Sequence, residues 1–362
     1  MSSSHPFPST AREEILLPRW EFASDNTSGI CPEAWEALAE ANTGFSPSYG
    51  NDPCTREAAN LFREIFETDC EVFFVFNGTA ANSLALSSLC RSYHSVVCHE
   101  SAHIETDECG APEFFSNGTK ILLGSGPEGK LSPDTVHHLI TKRSDIHYPR
   151  ARVLSLTQPT ELGTVYQPAE IQALSALAAA HNLKVHMDGS RFAVAVDSLG
   201  LSPAEITWRV GVDVLCLGGT KSGIGSGEVI LFFDTSLAEE FAYRCKQSGQ
   251  LASKMRFLAA PWRKMLASGG WLQGAAHSRR CAQLLEDLLH AIPEVEILYP
   301  VQANSVFLRM PESFHAALKA QGWQYYVFIG GGARLMCSWD TREDDIRQLV
   351  ADLSAVVASS SS

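Results

Sequence analysis

Lys221 lies in Leu217-Gly-Gly-Thr-Lys221-Ser-Gly223, directly after the apolar run Asp213–Leu217. A lysine amine that must meet an aldehyde carbon needs small neighbours for close approach and partial desolvation to lower its pKa. The glycines on both sides supply the room, although a lysine alone in a loop would be an ordinary solvated cation. Some way upstream, Asp188 follows the run Lys184–Met187 in His186-Met-Asp188-Gly-Ser-Arg191. A carboxylate where a parallel strand gives way to a loop points into the crevice in which α/β proteins bind ligands. Alone it would equally cap a helix. Together the two meet the need of pyridoxal phosphate: a lysine for the aldehyde, and a carboxylate that keeps the pyridine nitrogen protonated so the ring can accept carbanion electrons.

The phosphate of such a cofactor needs donors. The stretch Val72-Phe-Phe-Val-Phe76-Asn-Gly78-Thr79-Ala-Ala-Asn82 provides an apolar strand, a tight turn and a helix start. Backbone N–H groups at a helix N-terminus, with the Thr79 hydroxyl beside them, favour a dianion. Asn-Gly by itself is only a turn.

Three other strings match known motifs but lack their chemistry. Gly124-Ser-Gly-Pro-Glu-Gly129-Lys130 has phosphate-loop spacing, yet Leu131 stands where a hydroxyl must hold magnesium. Its Pro and Gly predict a turn. His99-Glu-Ser-Ala-His103 matches the zinc-protease string, which needs both imidazoles on one helix face. Here it follows the strand-like run Ser95–Cys98 and leads into Glu105, Asp107, Glu108 and Gly110, so the geometry is not assured. A zinc hydrolase using His99 and His103 is kept as an alternative from another class. Gly223-Ile-Gly225-Ser-Gly227 lacks dinucleotide-fingerprint spacing.

The elements that must position these residues follow from the patterning. Strand-like runs at Val72–Phe76, Ser95–Cys98, Lys120–Leu123, Arg152–Thr157, Lys184–Met187, Asp213–Leu217 and Glu228–Phe233 alternate with helical stretches such as Pro168–His181, where Ile171, Leu174, Leu177 and Ala178 recur at helical spacing. Such alternation predicts a three-layer αβα sandwich around a mostly parallel sheet. After Asp234 come long helical segments to about His290, the runs Val295–Tyr299, Ser305–Met310 and Arg334–Trp339, and a closing helix from about Thr341, the pattern of a smaller α+β unit.

The whole chain agrees. Its 362 residues suit two domains at about 150 residues each. With 45% hydrophobic and 19% charged residues it is a globular rather than a disordered sequence. A net charge of −13 disfavours nucleic acid. Ten cysteines without a C-x-x-C pair suggest free thiols in a reducing cytosol. No signal-peptide pattern opens the chain, and no apolar run reaches the ~18 to 20 residues that span a bilayer, so a cytoplasmic protein without membrane contact is expected.

Phe76-Asn-Gly-Thr-Ala-Ala-Asn82, Ala102-His103 with Glu108, Asp145-Ile-His147, His186-Met-Asp-Gly-Ser-Arg191 and Gly219-Thr-Lys221, in this order and spacing, resemble the L-threonine aldolase family, its low-specificity bacterial branch most closely. The likeness runs from about Phe22 to about Asp340. It implies the aspartate-aminotransferase-like fold type I of pyridoxal phosphate enzymes, with an N-terminal arm (1–25), a large cofactor-binding domain (26–270) and a small C-terminal domain (271–362). Two departures stand out: Gln158-Pro-Thr160 replaces Glu-Asn-Thr, and Ser222-Gly-Ile224 replaces Gly-Leu-Gly.

The resemblance also implies roles. Lys221 would carry the cofactor as an imine, Asp188 would pair with its ring nitrogen, Gly78 and Thr79 would hold its phosphate, and His103 would lie against its ring. Arg334 would bind the substrate carboxylate, helped by Arg191 and Ser24, with Tyr49 lining the site. Arg191 is also expected near the cofactor. Lys246 and Lys254 resemble basic residues that reach a neighbour's phosphate in a homodimer or homotetramer. The expected reaction is retro-aldol cleavage of threonine, allo-threonine or phenylserine into glycine and an aldehyde, with no metal. His103 and His147 are both candidates for the base. A β-eliminating lyase or aminotransferase of the same fold is the alternative, and a non-catalytic pyridoxal-binding protein a further one.

Overall fold

The computed structural model describes residues 18–328 and 332–360, so most of the expected N-terminal arm lies outside the described residues. Seven strands form the main sheet: β1 (Glu71–Val75), β2 (His94–His99), β3 (Lys120–Gly124), β4 (Arg150–Thr157), β5 (Lys184–Gly189), β6 (Val214–Leu217) and β7 (Glu228–Phe232). Their order is β1-β7-β6-β5-β4-β2-β3. The pairs from β6 to β3 are parallel, and β7 runs antiparallel between β6 and β1. Every residue of β6 and β7 is buried, whereas the edge strands β1 and β3 are partly exposed. This is why the central strands read as unbroken apolar runs.

Alternation along the strands separates two apolar layers. Leu154, Leu215, Val229 and Leu231 join one core with Phe192 and Trp262, while Val153, Val214, Ile230 and Phe232 face another with Leu84 and Phe241. The helix Gly78–Leu89 is buried along most of its length and so lacks an amphipathic stripe. The helix Pro168–Ala180 begins with Pro168 and a capping box between Gln167 and Glu170, and buries Ile171, Leu174 and Ala178 as the spacing predicts.

A second sheet, ordered β10-β11-β9-β8, comprises β8 (Glu296–Ile297), β9 (Ser305–Arg309), β10 (Tyr326–Val327) and β11 (Gly332–Met336). Two expected strands differ. Val295–Tyr299 contracts to two residues. Arg334–Trp339 moves towards the N-terminus, because a turn closed by Ser338 N–H donating to Thr341 Oγ1 at 2.7 Å intervenes before the final helix Glu343–Ser360. The helix Gly270–Leu289 begins in the first core through Trp271 and Ala275 and ends in the second through Cys281, Leu285 and Leu289. Phe22 packs in that second core, and Met336 N–H donates to its carbonyl at 3.0 Å. The phosphate-loop-like string is a turn through Pro127–Gly129 that closes on Lys130.

Candidate active site

The site lies at the carboxyl edge of the parallel strands. After β1 the chain extends through Asn77, whose side chain accepts the Ala80 N–H at 2.9 Å and so starts the helix at Gly78. A cleft of about 150 Å³ opens there, lined among others by Gly78, Thr79, Asn26, His103, Ser190 and Lys221. Unpaired first-turn N–H groups and the positive end of the helix dipole make this wall an anion cradle.

Asp188, in register with Thr157 of β4 and Cys216 of β6, is buried. Its Oδ1 accepts from Ser190 N at 3.0 Å and Ser190 Oγ at 2.8 Å, and its Oδ2 accepts from Asn82 Nδ2 at 3.0 Å. Burial alone would raise the carboxyl pKa, but Lys221, His103 and Ser190 outweigh it and hold Asp188 below the usual carboxylate range. The same Asn82 amide donates to Glu108 Oε1 at 2.8 Å, which meets His103 Nδ1 at 2.9 Å. Glu108 lies above its ordinary pKa through burial, and the hydrogen bond to Glu108 raises that of His103. One chain of hydrogen bonds therefore runs from His103 through Glu108 and Asn82 to Asp188.

Lys221 sits in the short turn Thr220–Ser222 beyond β6, and burial, with Arg191 adding to it, pushes its amine below the ordinary lysine value. The buried Glu228 clamps this turn by accepting the N–H groups of Gly219 and Thr220. The preceding glycines are needed for packing as well as for access. A Cβ on Gly218 would collide with the Ser190 backbone, and one on Gly219 with Gly227 and the Trp262 ring.

Arg191 and Arg334 differ sharply. Arg191 is held by Asp25, Nε to Oδ2 at 2.6 Å and Nη2 to Oδ1 at 2.9 Å, and Asn304 Nδ2 donates to the same carboxylate at 3.3 Å. Arg334 pairs across β11 with Phe307 and Tyr326, lies 5.1 Å from the Tyr326 ring, and has a buried Nε without a hydrogen-bond partner among the described residues. Burial and the nearby Arg191 lower its pKa.

The turn after β4 adds a residue that sequence reasoning missed. Gln158 closes it like a clasp, donating to Tyr166 O and accepting from Tyr166 N, both at 3.0 Å. Glu161 at its tip faces Arg191, Asp188, Lys221 and His103, and burial raises its carboxyl pKa. Glu161, Asp25 and Glu228 each adjoin a residue or string already singled out, but no motif letter marks them. The one signal was the altered Gln158-Pro-Thr160 string beside Glu161.

The other expected residues are dispersed. Ser24 is buried beside Asp25, and its Oγ accepts from Asn26 N at 3.2 Å. Tyr49 is half-exposed with φ +57°, and Lys246 Nζ lies 4.6 Å from its ring. Lys246 and Lys254 are exposed. They flank Gln250, whose Oε1 accepts from Phe76 N at 2.9 Å beside the cradle. His147 is exposed in the loop before β4. The eight residues of β4 cover about 26 Å at about 3.3 Å each, so within one chain His147 is at the opposite sheet edge from Lys221. His99 ends β2 with Nδ1 against Ser101 Oγ at 2.8 Å and Nε2 against Gly126 O at 3.1 Å. His103 groups instead with Glu108 and Asp188, so the zinc-hydrolase alternative loses its ligand pair.

The chain is similar to several known proteins. The model of the beta-eliminating lyase family matches residues 21–313. The low specificity L-threonine aldolase of Pseudomonas sp. (strain NCIMB 10558) is 60% identical over 339 residues, covering 93% of this chain and 98% of the relative. The threonine aldolase of Leishmania major superposes with a TM-score of 0.88 at 27% identity, covering 93% of this chain and 99% of that one. An aspartate aminotransferase of Thermus thermophilus, at 19% identity, shares the fold with a TM-score of 0.70 over 93% of this chain and 91% of its own.

Proposed function

The chain belongs to the beta-eliminating lyase family and, within it, to the low-specificity L-threonine aldolases, and on that premise we propose that it cleaves threonine, allo-threonine and other β-hydroxy-α-amino acids such as phenylserine to glycine and an aldehyde. Its cofactor is pyridoxal phosphate. The observation that carries this reading is the meeting of a partly buried lysine and a helix N-terminus in one cleft, with the buried ionised carboxylate of Asp188 hydrogen-bonded to its lining residues Asn82 and Ser190. The donor set fits the group: first-turn N–H groups with Thr79 for the phosphate, Asp188 for the pyridinium and Lys221 for the aldehyde.

When bound, pyridoxal phosphate supplies an electrophilic carbon and an electron-accepting ring. The chain's residues do the remainder. Lys221, its pKa lowered by burial, keeps a larger fraction of nucleophilic amine than a solvated lysine. Asp188, fixed by Ser190 and Asn82, holds a proton at the ring nitrogen. Arg334, whose buried Nε has no partner among the described residues, binds the substrate carboxylate. Arg191, engaged by Asp25, acts chiefly as a neighbouring positive charge and a positioning residue. His103, held by Glu108, takes the β-hydroxyl proton as Cα–Cβ breaks. His147 takes part only where a second copy brings it to the cleft.

A homodimer or homotetramer is supported by the exposed Phe45, Phe76, Tyr49 and Tyr243 around the Lys246–Lys254 segment, which would carry Lys246 and Lys254 to a neighbour's cradle. A cytoplasmic setting is supported by ten unpaired cysteines. No helix among the described residues is long and apolar enough to cross a membrane. We place the domain division at 26–270 and 271–362, with the helix Gly270–Leu289 contributing to both cores.

Incubation of the purified holoenzyme with L-threonine and with β-phenylserine tests the reading. Glycine with acetaldehyde or benzaldehyde is expected. Ammonia with a keto acid instead would make the chain a β-eliminating lyase, and neither product pair would leave it a non-catalytic pyridoxal-binding protein.

A further inference from the structure

At the opposite edge of the main sheet from the catalytic cleft, a second cavity of about 390 Å³ is lined by Arg91, Arg150, Arg152 and Arg244, with His94 and Ser88 among its other walls and no acidic residue. The four guanidinium groups come from three places: the turn that ends the helix Gly78–Leu89, the start of β4, and the helix Phe241–Gln247. None forms an ion pair among the described residues, in a chain whose acidic groups outnumber its lysines and arginines by 41 to 28. Their side-chain hydrogen bonds are few and neutral. Arg91 Nη1 reaches Tyr93 Oη at 3.3 Å, Arg152 Nη1 donates to Asn182 O at 2.9 Å, and Arg244 Nη1 reaches Ser87 Oγ at 3.5 Å. Arg150 makes only a backbone contact, its N–H donating to Tyr93 O at 3.1 Å, so its whole fork is open.

Like charges gathered without counter-ions repel one another. The carboxyl end of the helix Gly78–Leu89 offers about half a negative charge at most, which does not balance four. His94 feels the imbalance: burial and then Arg152, Arg150 and Arg91 push its imidazole below the ordinary value, so it stays neutral and adds no fifth charge. Arg150 lies opposite His94 in the β2–β4 register, which shifts just beyond it so that Arg152 is the unpaired extra residue of β4, and the irregularity lets both side chains line the same cavity. A single phosphate is too small to meet all four forks, whereas a compact anion carrying two or three oxyanion groups can take bidentate bonds from several.

We propose that this pocket is a binding site for a compact polyvalent oxyanion, a diphosphate or a polycarboxylate, separate from the cofactor phosphate cradle by the length of β4. Arg91 and Arg150, both exposed, form its entrance, and Arg152 and Arg244 form its inner wall.

The test uses the holoenzyme, whose cofactor already fills the cradle, titrated calorimetrically with sodium pyrophosphate and separately with citrate, against ionic-strength-matched sodium chloride. Saturable binding of either anion at one site per chain is expected, weakening as salt is added and weakening about tenfold or more in the Arg91→Gln/Arg150→Gln variant. The cofactor absorbance should not change. Tighter binding of pyrophosphate identifies the ligand class as a phosphate, and tighter binding of citrate identifies a polycarboxylate. The proposal is overturned if neither anion binds above chloride or if the variant binds as tightly as the parent. It is overturned equally if the variant binds neither anion and changes mass by light scattering, because the arginines then belong to a contact between copies.

Discussion

Arg191 turns the Nε–Nη2 edge of its guanidinium to Asp25, at 2.6 and 2.9 Å, so the arginine beside Asp188 in sequence is paired through that edge with a carboxylate of its own chain. Both side chains are largely buried. Arg334, more than a hundred residues away in sequence and on the second sheet, has a buried Nε with no hydrogen-bond partner among the described residues. On the proposed function, substrate carboxylate recognition is assigned chiefly to Arg334. Replacing Arg334 with Lys should raise KM for threonine by about tenfold or more with a smaller fall in kcat, because an ammonium cannot reproduce the planar fork. Steady-state kinetics checks this, and an unchanged KM would return the role to Arg191.

Breaking the Asp25–Arg191 pair has a different signature. Asp25→Asn leaves a buried guanidinium without its counter-charge, a change that costs on the order of 3 kcal/mol in comparable buried pairs. A clear drop in thermal midpoint is expected in the holoenzyme, restored in part by Arg191→Met on the same background, since an apolar partner needs no counter-ion.

Asp188→Asn tests the cofactor electronics. A neutral amide cannot keep the ring nitrogen protonated, so kcat should fall steeply while Ser190 and Asn82 still provide a hydrogen-bonded setting and some cofactor remains bound. Absorbance of the bound cofactor and turnover separate the two effects, and near-normal kcat would remove the electronic role.

Residue chemistry near the strand ends was legible because each motif is local. Asp188, Lys221 and Gly78 are announced by an apolar run followed by small or polar residues, and all three stand at carboxyl ends of strands or at a helix start. What was not legible depends on contacts across the fold. Asp25 meets Arg191 from 166 positions away, and Glu228 reaches back over the glycine turn from the next strand. The register of β10 and β11 was equally hidden, since two residues of strand carry no periodicity. Asn82 and Glu108 were visible as motif letters, but only the fold joins them into one hydrogen-bonded chain.

Glu161 is the most informative of the missed residues. Its negative charge favours a proton on the Lys221 nitrogen, whether as the free amine or joined to the cofactor, so Glu161→Gln should make that proton easier to lose. The visible absorbance of the bound cofactor should then titrate at lower pH than in the parent enzyme. A titration that does not move would place Glu161 outside the electrostatic field of the site.

The last prediction concerns the acid limb of the pH–rate profile. If His103 is the base, turnover requires its neutral form and falls as pH drops through its pKa, which the hydrogen bond to Glu108 places above the ordinary imidazole value. Glu108→Gln removes the charge that favours the imidazolium, so His103 loses its proton at lower pH and the acid limb of kcat should move to lower pH. His103→Phe should cost about 10² to 10⁴ in kcat, the range for a lost general base, while the cofactor stays bound. The two results together separate proton transfer from ring contact. A Phe side chain preserves an aromatic surface, so a kcat equal to the parent's would assign His103 to stacking alone. In that case the acid limb would remain where it was in Glu108→Gln, because no step of turnover would depend on the His103 proton.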